Sequence, residues 1–210
     1  MKVKVCGMRE PDNIRLVAAL QPDFMGFIFY DKSSRFAGNS ITPELLAELP
    51  ASIKKIGVFV NETTEVILAT AQKYKLDLIQ LHGHETPGQC RELQEAGIQI
   101  IKAFSVDDSF AFENMLLYER HCDYFLFDTR GRHYGGNGTT FDWELLKGYL
   151  SDKPYLLSGG LTLENLQTEA IEKLRPKPFA VDVNSGFEQE PGLKKVDELK
   201  LLLEQLRVKS

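Results

Sequence analysis

Apolar and polar residues along this chain form a pattern that repeats eight times. Short apolar runs are typical of buried strands, and most are followed by a stretch with apolar residues at helical spacing. The predicted strands cover residues 2–6, 23–29, 53–60, 77–81, 98–104, 123–128, 154–158 and 178–183. The predicted helices cover residues 11–21, a stretch from 43, 62–75, 86–96, 106–121, 141–150, 162–174 and 194–207. Alternation of strand and helix indicates a parallel sheet covered by helices.

Eight strand–helix repeats in 210 residues fit a (βα)8 TIM barrel, with eight parallel strands inside and the helices outside. No linker or change of composition divides the chain, so we expect a single domain over residues 1–210. An open, doubly wound sheet is the alternative. The first turn between strand and helix, residues 6–9 (CGMR), lacks the GxGxxG pattern of dinucleotide-binding sheets, which favours the barrel. A glycine-rich loop is expected at 129–140 and a short turn at 185–188.

Glycine-containing turns follow the last two predicted strands. Gly159 and Gly160 come after strand seven, and Asn184, Ser185 and Gly186 come after strand eight. In a barrel these loops lie at the carboxyl end of the strands, where phosphate groups are often bound. Backbone N–H groups that point out of such turns favour anions. We therefore predict one phosphate site between the two turns.

The first predicted strand combines a lysine with a cysteine. Strand alternation places Lys4 and Cys6 on one face, toward the barrel interior, and leaves the neighbouring valines for the helix-facing side. A buried lysine needs a partner. Asp182 can supply it, because strand eight neighbours strand one in a closed barrel, so we predict a Lys4–Asp182 ion pair below Cys6. Two roles remain open for the pair: it could only fill the core, or it could promote the thiolate of Cys6.

Other polar side chains also follow predicted strands. Asp128 ends an apolar strand and is a candidate general acid, with capping of the next loop as the alternative. Arg35, in the loop after strand two, is either solvated or able to bind a carboxylate through its planar guanidinium. His82, after strand four, is either structural or part of a site. The remaining histidines show no spacing typical of a metal site.

Composition narrows the function classes further. The chain is 43% hydrophobic and 26% charged, with a net charge of -5, which is typical of a soluble globular protein. It has no block of Lys and Arg, so nucleic-acid binding is not expected. No apolar stretch is long enough for a membrane span, and the N-terminus lacks the apolar segment of a signal peptide. Three widely spaced cysteines support neither a disulfide framework nor a zinc site, and a cytoplasmic location is expected.

Nine motifs occur in the order found in phosphoribosylanthranilate isomerases, and the chain resembles that family over nearly its whole length. They are residues 4–7 (KVCG), 26–29 (GFIF), 33–35 (SSR), 57–60 (GVFV), 80–83 (QLHG), 127–129 (FDT), 135–143 (GGNGTTFDW), 158–161 (SGGL) and 181–188 (VDVNSGFE), the last followed by a Pro-Gly pair at 191–192. No single motif is decisive, but the ordered set is highly specific.

The resemblance implies a (βα)8-barrel enzyme of tryptophan biosynthesis that acts without metal or cofactor. Its reaction is an Amadori rearrangement of N-(5-phosphoribosyl)anthranilate to a 1-deoxyribulose 5-phosphate. In the family, the cysteine matching Cys6 is the general base, the aspartate matching Asp128 is the general acid, and the arginine matching Arg35 lies near the anthranilate carboxylate. The expected substrate-binding residues are Arg35, His82, Gly159, Gly160, Asp182, Asn184, Ser185 and Gly186.

The chain departs from the family's usual residues at a few places: Met8 and Arg9 after Cys-Gly, Ser34 before the arginine, Asn137 in the glycine-rich loop, and Asn184 in the last turn. None of these removes a proposed catalytic group. Ser34 stands where the family often has proline, so this change bears on the rigidity of the loop that carries Arg35.

Two rival functions remain at this point. One is another phosphosugar barrel, such as an epimerase or a thiamine-phosphate synthase-like transferase; a metal-dependent epimerase would need His and Asp ligands at several strand ends, where only His82 offers itself. The other is a non-catalytic barrel that binds a phosphorylated metabolite, which the joint presence of Cys6 and Asp128 disfavours. The partner expected in every case is a small phosphorylated molecule, bound by a monomer or a homodimer.

Overall fold

Eight parallel strands close into a barrel in the computed structural model, which describes residues 1–129, 143–166, 171 and 173–208. Each strand pairs with the next along the chain, and the first pairs with the last. The strands are β1 (Lys2–Val5), β2 (Phe24–Ile28), β3 (Lys54–Phe59), β4 (Leu78–Leu81), β5 (Gln99–Val106), β6 (Tyr124–Thr129), β7 (Tyr155–Leu157) and β8 (Ala180–Val183). The predicted (βα)8 barrel is therefore confirmed.

The connecting helices lie outside the barrel, and three of them begin after a threonine that caps the first turn. The helices whose bounds lie within the described residues are α1 (Pro11–Ala19), α2 (Pro43–Ala47), α3 (Thr64–Tyr74), α4 (Pro87–Glu95), α5 (Leu163–Leu166) and α6 (Val196–Val208). The side chains of Thr42, Thr63 and Thr86 accept hydrogen bonds from backbone N–H groups in the first turns of α2, α3 and α4. Within the described ranges, no helix is long and apolar enough to cross a membrane.

Strand alternation sorts the core into two layers. Val3 and Val5 belong to the layer between the sheet and the helices, as the sequence predicts. A smaller apolar cluster fills the barrel interior, with members that include Cys6, Ile56 and Leu126. Polar side chains at the centre of the barrel are therefore surrounded by protein on every side.

The prediction of a helix over residues 106–121 is wrong. Strand β5 runs on to Val106, and a 3-10 turn at Phe112–Leu117 replaces the helix. Between them, Asp107 Oδ1 accepts hydrogen bonds from the backbone N–H and the hydroxyl of Ser109, at 3.0 and 2.6 Å. Such local bonds compete with helix formation. The predicted helix 141–150 is likewise a 3-10 turn, Trp143–Gly148, in its described part.

A short hairpin follows β8 that the sequence patterns do not predict. After a 3-10 turn at Ser185–Phe187, strands β9 (Glu188–Glu190) and β10 (Leu193–Lys194) pair antiparallel. The closing helix consequently begins at Val196 rather than at 194. The hairpin brings the side chains of its strands back over the barrel mouth. The glycine-rich loop expected at 129–140 lies outside the described residues from 130 onward.

Candidate active site

Lys4 lies at the centre of the barrel with no solvent exposure. The β1–β8 register places it directly opposite Asp182, and its Nζ is 2.9 Å from Asp182 Oδ2, which confirms the predicted ion pair. The same Nζ donates to Gln80 Oε1 at 2.5 Å and to Cys6 Sγ at 3.4 Å. An ammonium group has three N–H donors. All three therefore have acceptors, which is the condition for keeping a charge in an apolar interior.

The surroundings of Lys4 favour its charged form. Burial disfavours the ammonium, but the attraction and hydrogen bonds of Asp182 and Cys6 outweigh burial, so the pKa of Lys4 is raised. The ion pair spans the seam at which the barrel closes, because it joins the first strand to the last. It therefore contributes to closing the barrel as well as to the site above it.

Cys6 follows β1 and is 4% exposed. Its N–H donates to the carbonyl of Val183 at 2.9 Å, which holds it beside β8. Burial raises the pKa of the Cys6 thiol; Lys4 and Lys194 lower it, but by less. Lys4 thus acts in the direction that favours the thiolate, whereas burial and Asp182 act in the opposite direction.

Across the barrel mouth from Cys6, the side chains of His82 and Asp128 contact each other. His82 follows β4, and its Nε2 lies 3.2 Å from Asp128 Oδ2, near the end of β6. The other ring nitrogen, Nδ1, lies 2.7 Å from Nε2 of Gln80. Gln80 was not among the predicted site residues. A signal for it exists, because strand alternation places it on the same face as His82, two residues later.

Arg35 is tied to an internal carboxylate. Its Nε and Nη2 both donate to Glu188, with the shortest contact at 2.6 Å. Glu188 also accepts from Lys194 Nζ at 2.6 Å, and Lys194 in turn donates to Asn184 Oδ1 at 2.7 Å. Burial opposes ionisation of Glu188, but Arg35 and Lys194 outweigh burial, so the pKa of Glu188 is lowered. Arg35 is thus not a solvated loop residue, and Nη1 is the part of its guanidinium that Glu188 does not bind.

Two residues that depart from the family's usual pattern contact each other. Arg9 Nη1 donates to the backbone carbonyl of Ser34 at 2.8 Å. The hydroxyl of Ser33 also accepts from the N–H of Arg35, at 3.1 Å. The first of these bonds ties the loop after β2 to the turn after β1, and the second lies within the loop.

The two glycine turns lie against each other, as predicted. Gly159 and Gly160 adopt φ values of +90° and +60°, a backbone region that suits glycine. A Cβ on Gly186 would lie 2.1 Å from the carbonyl oxygen of Leu161, so the second turn packs directly on the first. The N–H groups of Gly160, Ser185 and Gly186 have no acceptor within the described part of the chain. They can therefore bind an anion.

A second buried ion pair holds the loop that carries His82. Lys102 Nζ contacts Glu85 Oε2 at 2.9 Å and donates to the carbonyl of Gly83 at 2.8 Å. Glu85 accepts from the N–H of Gly83 at 2.9 Å and from that of Asn61 at 2.9 Å. Sequence patterns gave no indication of this pair. The pair fixes the backbone of the loop that carries His82.

The described residues contain no cluster of three or more His, Cys, Asp and Glu side chains that could hold a metal ion. The site is instead made of a buried thiol beside an ammonium, a carboxyl group beside an imidazole, a guanidinium, and two N–H-lined turns. These groups can exchange protons and hold a substrate that carries a phosphate and a second negative charge.

Comparison with known proteins identifies the family of this chain. The family model described as N-(5'phosphoribosyl)anthranilate (PRA) isomerase matches residues 3–205. The N-(5'-phosphoribosyl)anthranilate isomerase of Parabacteroides distasonis is 50% identical over 208 residues, which cover 98% of this chain and 93% of that protein. The crystal structure of phosphoribosyl anthranilate isomerase from Thermotoga maritima superimposes with a TM-score of 0.87 at 38% identity, covering 99% of this chain and 98% of the other.

A crystal structure of phosphoribosyl anthranilate isomerase in complex with reduced 1-(o-carboxyphenylamino)-1-deoxyribulose 5-phosphate has a TM-score of 0.81 and 36% identity, covering 99% of this chain and 98% of the other. The similarity therefore extends over nearly the whole chain. The chain belongs to the N-(5'-phosphoribosyl)anthranilate isomerase family.

Proposed function

We propose that this chain isomerises N-(5-phosphoribosyl)anthranilate to 1-(2-carboxyphenylamino)-1-deoxyribulose 5-phosphate, an aldose–ketose rearrangement of tryptophan biosynthesis. Cys6 is the general base and Asp128 the general acid. The observation that carries the proposal is the placement of these two groups after β1 and near the end of β6, with the two N–H-lined turns after β7 and β8 beside them. Family membership supports the substrate.

The reaction uses one acid and one base. Asp128 gives its proton to the furanose ring oxygen, the bond between that oxygen and C1′ breaks, and the anilino nitrogen lone pair forms a Schiff base. The Cys6 thiolate then removes the proton from C2′, and the C–H electron pair moves toward the Schiff base to give an enolamine. Tautomerisation of the enolamine yields the ketone. Lys4, at 3.4 Å from the sulfur, stabilises the thiolate while it exists.

The substrate is held at its two charged ends. The phosphate lies between the turns and accepts from the N–H groups of Gly159, Gly160, Ser185 and Gly186, as expected for an anion at such turns. Asn184 contributes through its backbone, because its side chain is bound to Lys194. The anthranilate carboxylate lies at the Nη1 side of Arg35.

Gly186→Ala is expected to raise KM for the phosphorylated substrate by about 10- to 100-fold, the loss of one or two hydrogen bonds to a charged group. The added Cβ would lie 2.1 Å from the carbonyl oxygen of Leu161, so the turn must move. Steady-state kinetics and inhibition by inorganic phosphate measure the effect. Gly88→Ala is the matched control, because its Cβ would lie 3.6 Å from the nearest atom. Equal KM values in the two variants would contradict the phosphate site.

Glu188→Gln is expected to raise KM about 10-fold with a smaller effect on kcat, because Arg35 loses the ionic partner that fixes its direction. Glu188 is buried, and its two oxygens receive both Nε and Nη2 of Arg35. Glu190→Gln, an exposed change in the same hairpin strand, is the control. Thermal unfolding of both variants verifies that they are folded. An unchanged KM in folded Glu188→Gln would show that Arg35 does not need this support.

The proposed function is tested by adding the purified protein to N-(5-phosphoribosyl)anthranilate and following the loss of its fluorescence together with formation of the product. We expect turnover that saturates with substrate and is inhibited by the reduced product analogue. Saturable binding of the substrate without turnover would instead support the non-catalytic rival. Absence of both would refute the proposal.

A further inference from the structure

A chain of hydrogen bonds joins Lys4, in the barrel interior, to Asp128 at its mouth. Lys4 Nζ donates to Gln80 Oε1 at 2.5 Å, Gln80 Nε2 lies 2.7 Å from His82 Nδ1, and His82 Nε2 lies 3.2 Å from Asp128 Oδ2. Gln80 is 1% exposed, whereas His82 and Asp128 are 28% and 29% exposed. The glutamine therefore connects a fixed interior charge to groups that face the substrate.

The direction of each hydrogen bond follows from the chemistry of Lys4. An ammonium only donates, so the Gln80 atom that faces Lys4 must be the carboxamide oxygen. The amide nitrogen, which also only donates, then faces His82 Nδ1. That ring nitrogen must accept, and so it carries no hydrogen. A neutral imidazole without a hydrogen on Nδ1 carries it on Nε2, which donates to Asp128.

We propose that Gln80 is a positioning residue that keeps His82 neutral with its hydrogen on Nε2, so that His82 donates to Asp128 Oδ2 and keeps the proton of the acid off that oxygen. The assignment to catalysis rests on the proposed function, since it takes Asp128 as the general acid. The tautomer of His82 does not depend on that function.

The tautomer matters because the other forms of His82 would disable the acid. An imidazolium would hold Asp128 as an ionised carboxylate in an ion pair. A tautomer with its hydrogen on Nδ1 would turn the Nε2 lone pair toward Asp128 and accept its proton. Among the described residues, the other charged groups near the ring include Asp182 and Lys4 below it, and the Lys102–Glu85 pair beneath its loop.

The series of hydrogen bonds from Lys4 to Asp128 can orient His82 but cannot carry a proton. A carboxamide has no readily ionisable proton. The proton that Cys6 gains therefore cannot return to Asp128 through Gln80. The substrate or solvent must carry it, which assigns Gln80 to geometry alone.

The Gln80→Glu variant distinguishes the positioning of His82 from a purely structural role of Gln80 in the core. The two side chains have nearly the same shape, and the carboxylate still accepts from Lys4. Its second oxygen can only accept, so it binds His82 Nδ1 only when that nitrogen carries a hydrogen. We expect kcat to fall by about 10- to 100-fold, the typical effect of a misaligned catalytic group. Gln99→Glu, the same change at an exposed position of β5, is the matched control and should keep wild-type kcat.

The decisive measurement is the tautomer of His82, read from two-bond ¹H–¹⁵N correlations of the labelled full-length protein at neutral pH. The signal that disappears in His82→Gln identifies the residue. We expect an unprotonated Nδ1 and a protonated Nε2 in the wild type, and a protonated Nδ1 in Gln80→Glu.

A protonated Nδ1 in the wild type overturns the proposal, and this test needs no variant. A wild-type tautomer in folded Gln80→Glu overturns it as well, whatever the activity. If Gln80→Glu does not fold, Gln80→Met removes the donor without adding charge, and retention of both the single tautomer and wild-type kcat would refute the role. The expected tautomer in a wild-type protein without isomerase activity would refute the proposed function and leave the assignment of the tautomer standing.

Discussion

Replacing Asp128 with asparagine is expected to lower kcat by about 10²- to 10⁴-fold, the contribution of one general acid. Asparagine keeps the shape of the side chain, and its carbonyl oxygen can still accept from His82 Nε2 at the present 3.2 Å. It has no proton to give to the furanose oxygen. Ring opening should therefore become the slow step, while the substrate still binds through its phosphate and carboxylate. KM is expected to change much less than kcat.

Cys6→Ser tests the proposed general base in the same way. The hydroxyl is close in size to the thiol but far less acidic, so it can hardly supply the anion that removes the C2′ proton. The fall in kcat should again reach about 10²- to 10⁴-fold. Both variants are measured by the fluorescence assay beside Asp152→Asn, an exposed acid-to-amide change that serves as control. Wild-type kcat in folded Asp128→Asn or Cys6→Ser would remove that residue from its assigned role.

Lys4→Met is expected to lower the free energy of unfolding by about 3–5 kcal/mol, the usual cost of leaving one member of a buried ion pair alone. The carboxylate of Asp182 would lose the Nζ donor at 2.9 Å while it is only 4% exposed. Gln80 and Cys6 would lose a donor at the same time. Urea unfolding followed by circular dichroism measures the change.

Two further variants make the Lys4 prediction specific. Lys54→Met breaks an exposed pair with Asp77 at 3.1 Å and should change stability by less than about 1 kcal/mol. The double change Lys4→Met with Asp182→Leu should regain much of the lost stability, because apolar residues can replace a buried ion pair. It should remain poorly active, since the thiol and Gln80 still lack their donor. A stable Lys4→Met protein would contradict the account of this pair.

The Lys4–Asp182 pair shows how far sequence reasoning can reach into a tertiary site. Two rules were enough to predict it: side chains alternate along a strand, and the first strand of a closed barrel pairs with the last. Both rules are independent of loop conformation, so the contact follows once the eight repeats are recognised. The observed register, which pairs Lys4 with Asp182 directly, agrees with them.

The partner of Arg35 shows where such reasoning stops. The sequence suggested a guanidinium that binds a substrate carboxylate, whereas the structure shows it bound to Glu188, which lies 153 positions further along the chain on an unpredicted hairpin. No periodicity connects the two residues. The pair forms only because the loop after β2 and the hairpin after β8 fold over the same side of the barrel mouth.

Local polar chemistry also overrode the predicted secondary structure in one place. The apolar residues of 106–121 suit a helix, but the turn formed by Asp107 and Ser109 satisfies the backbone locally and only a 3-10 turn follows. Propensity is a weak guide where such side chains compete with the helix.

By itself, the sequence determined the eight-fold alternation, the barrel, the strand ends at which the candidate site residues lie, and the contact across the barrel seam, because each depends on short-range periodicity and on the rules of parallel sheets. Only the tertiary structure decided which hydrogen-bond partner each of these residues has. Gln80 between Lys4 and His82, Glu188 against Arg35, and Glu85 beneath the His82 loop depend on distances between elements far apart in the chain. Such distances are set by the packing of the whole barrel, which no local pattern encodes.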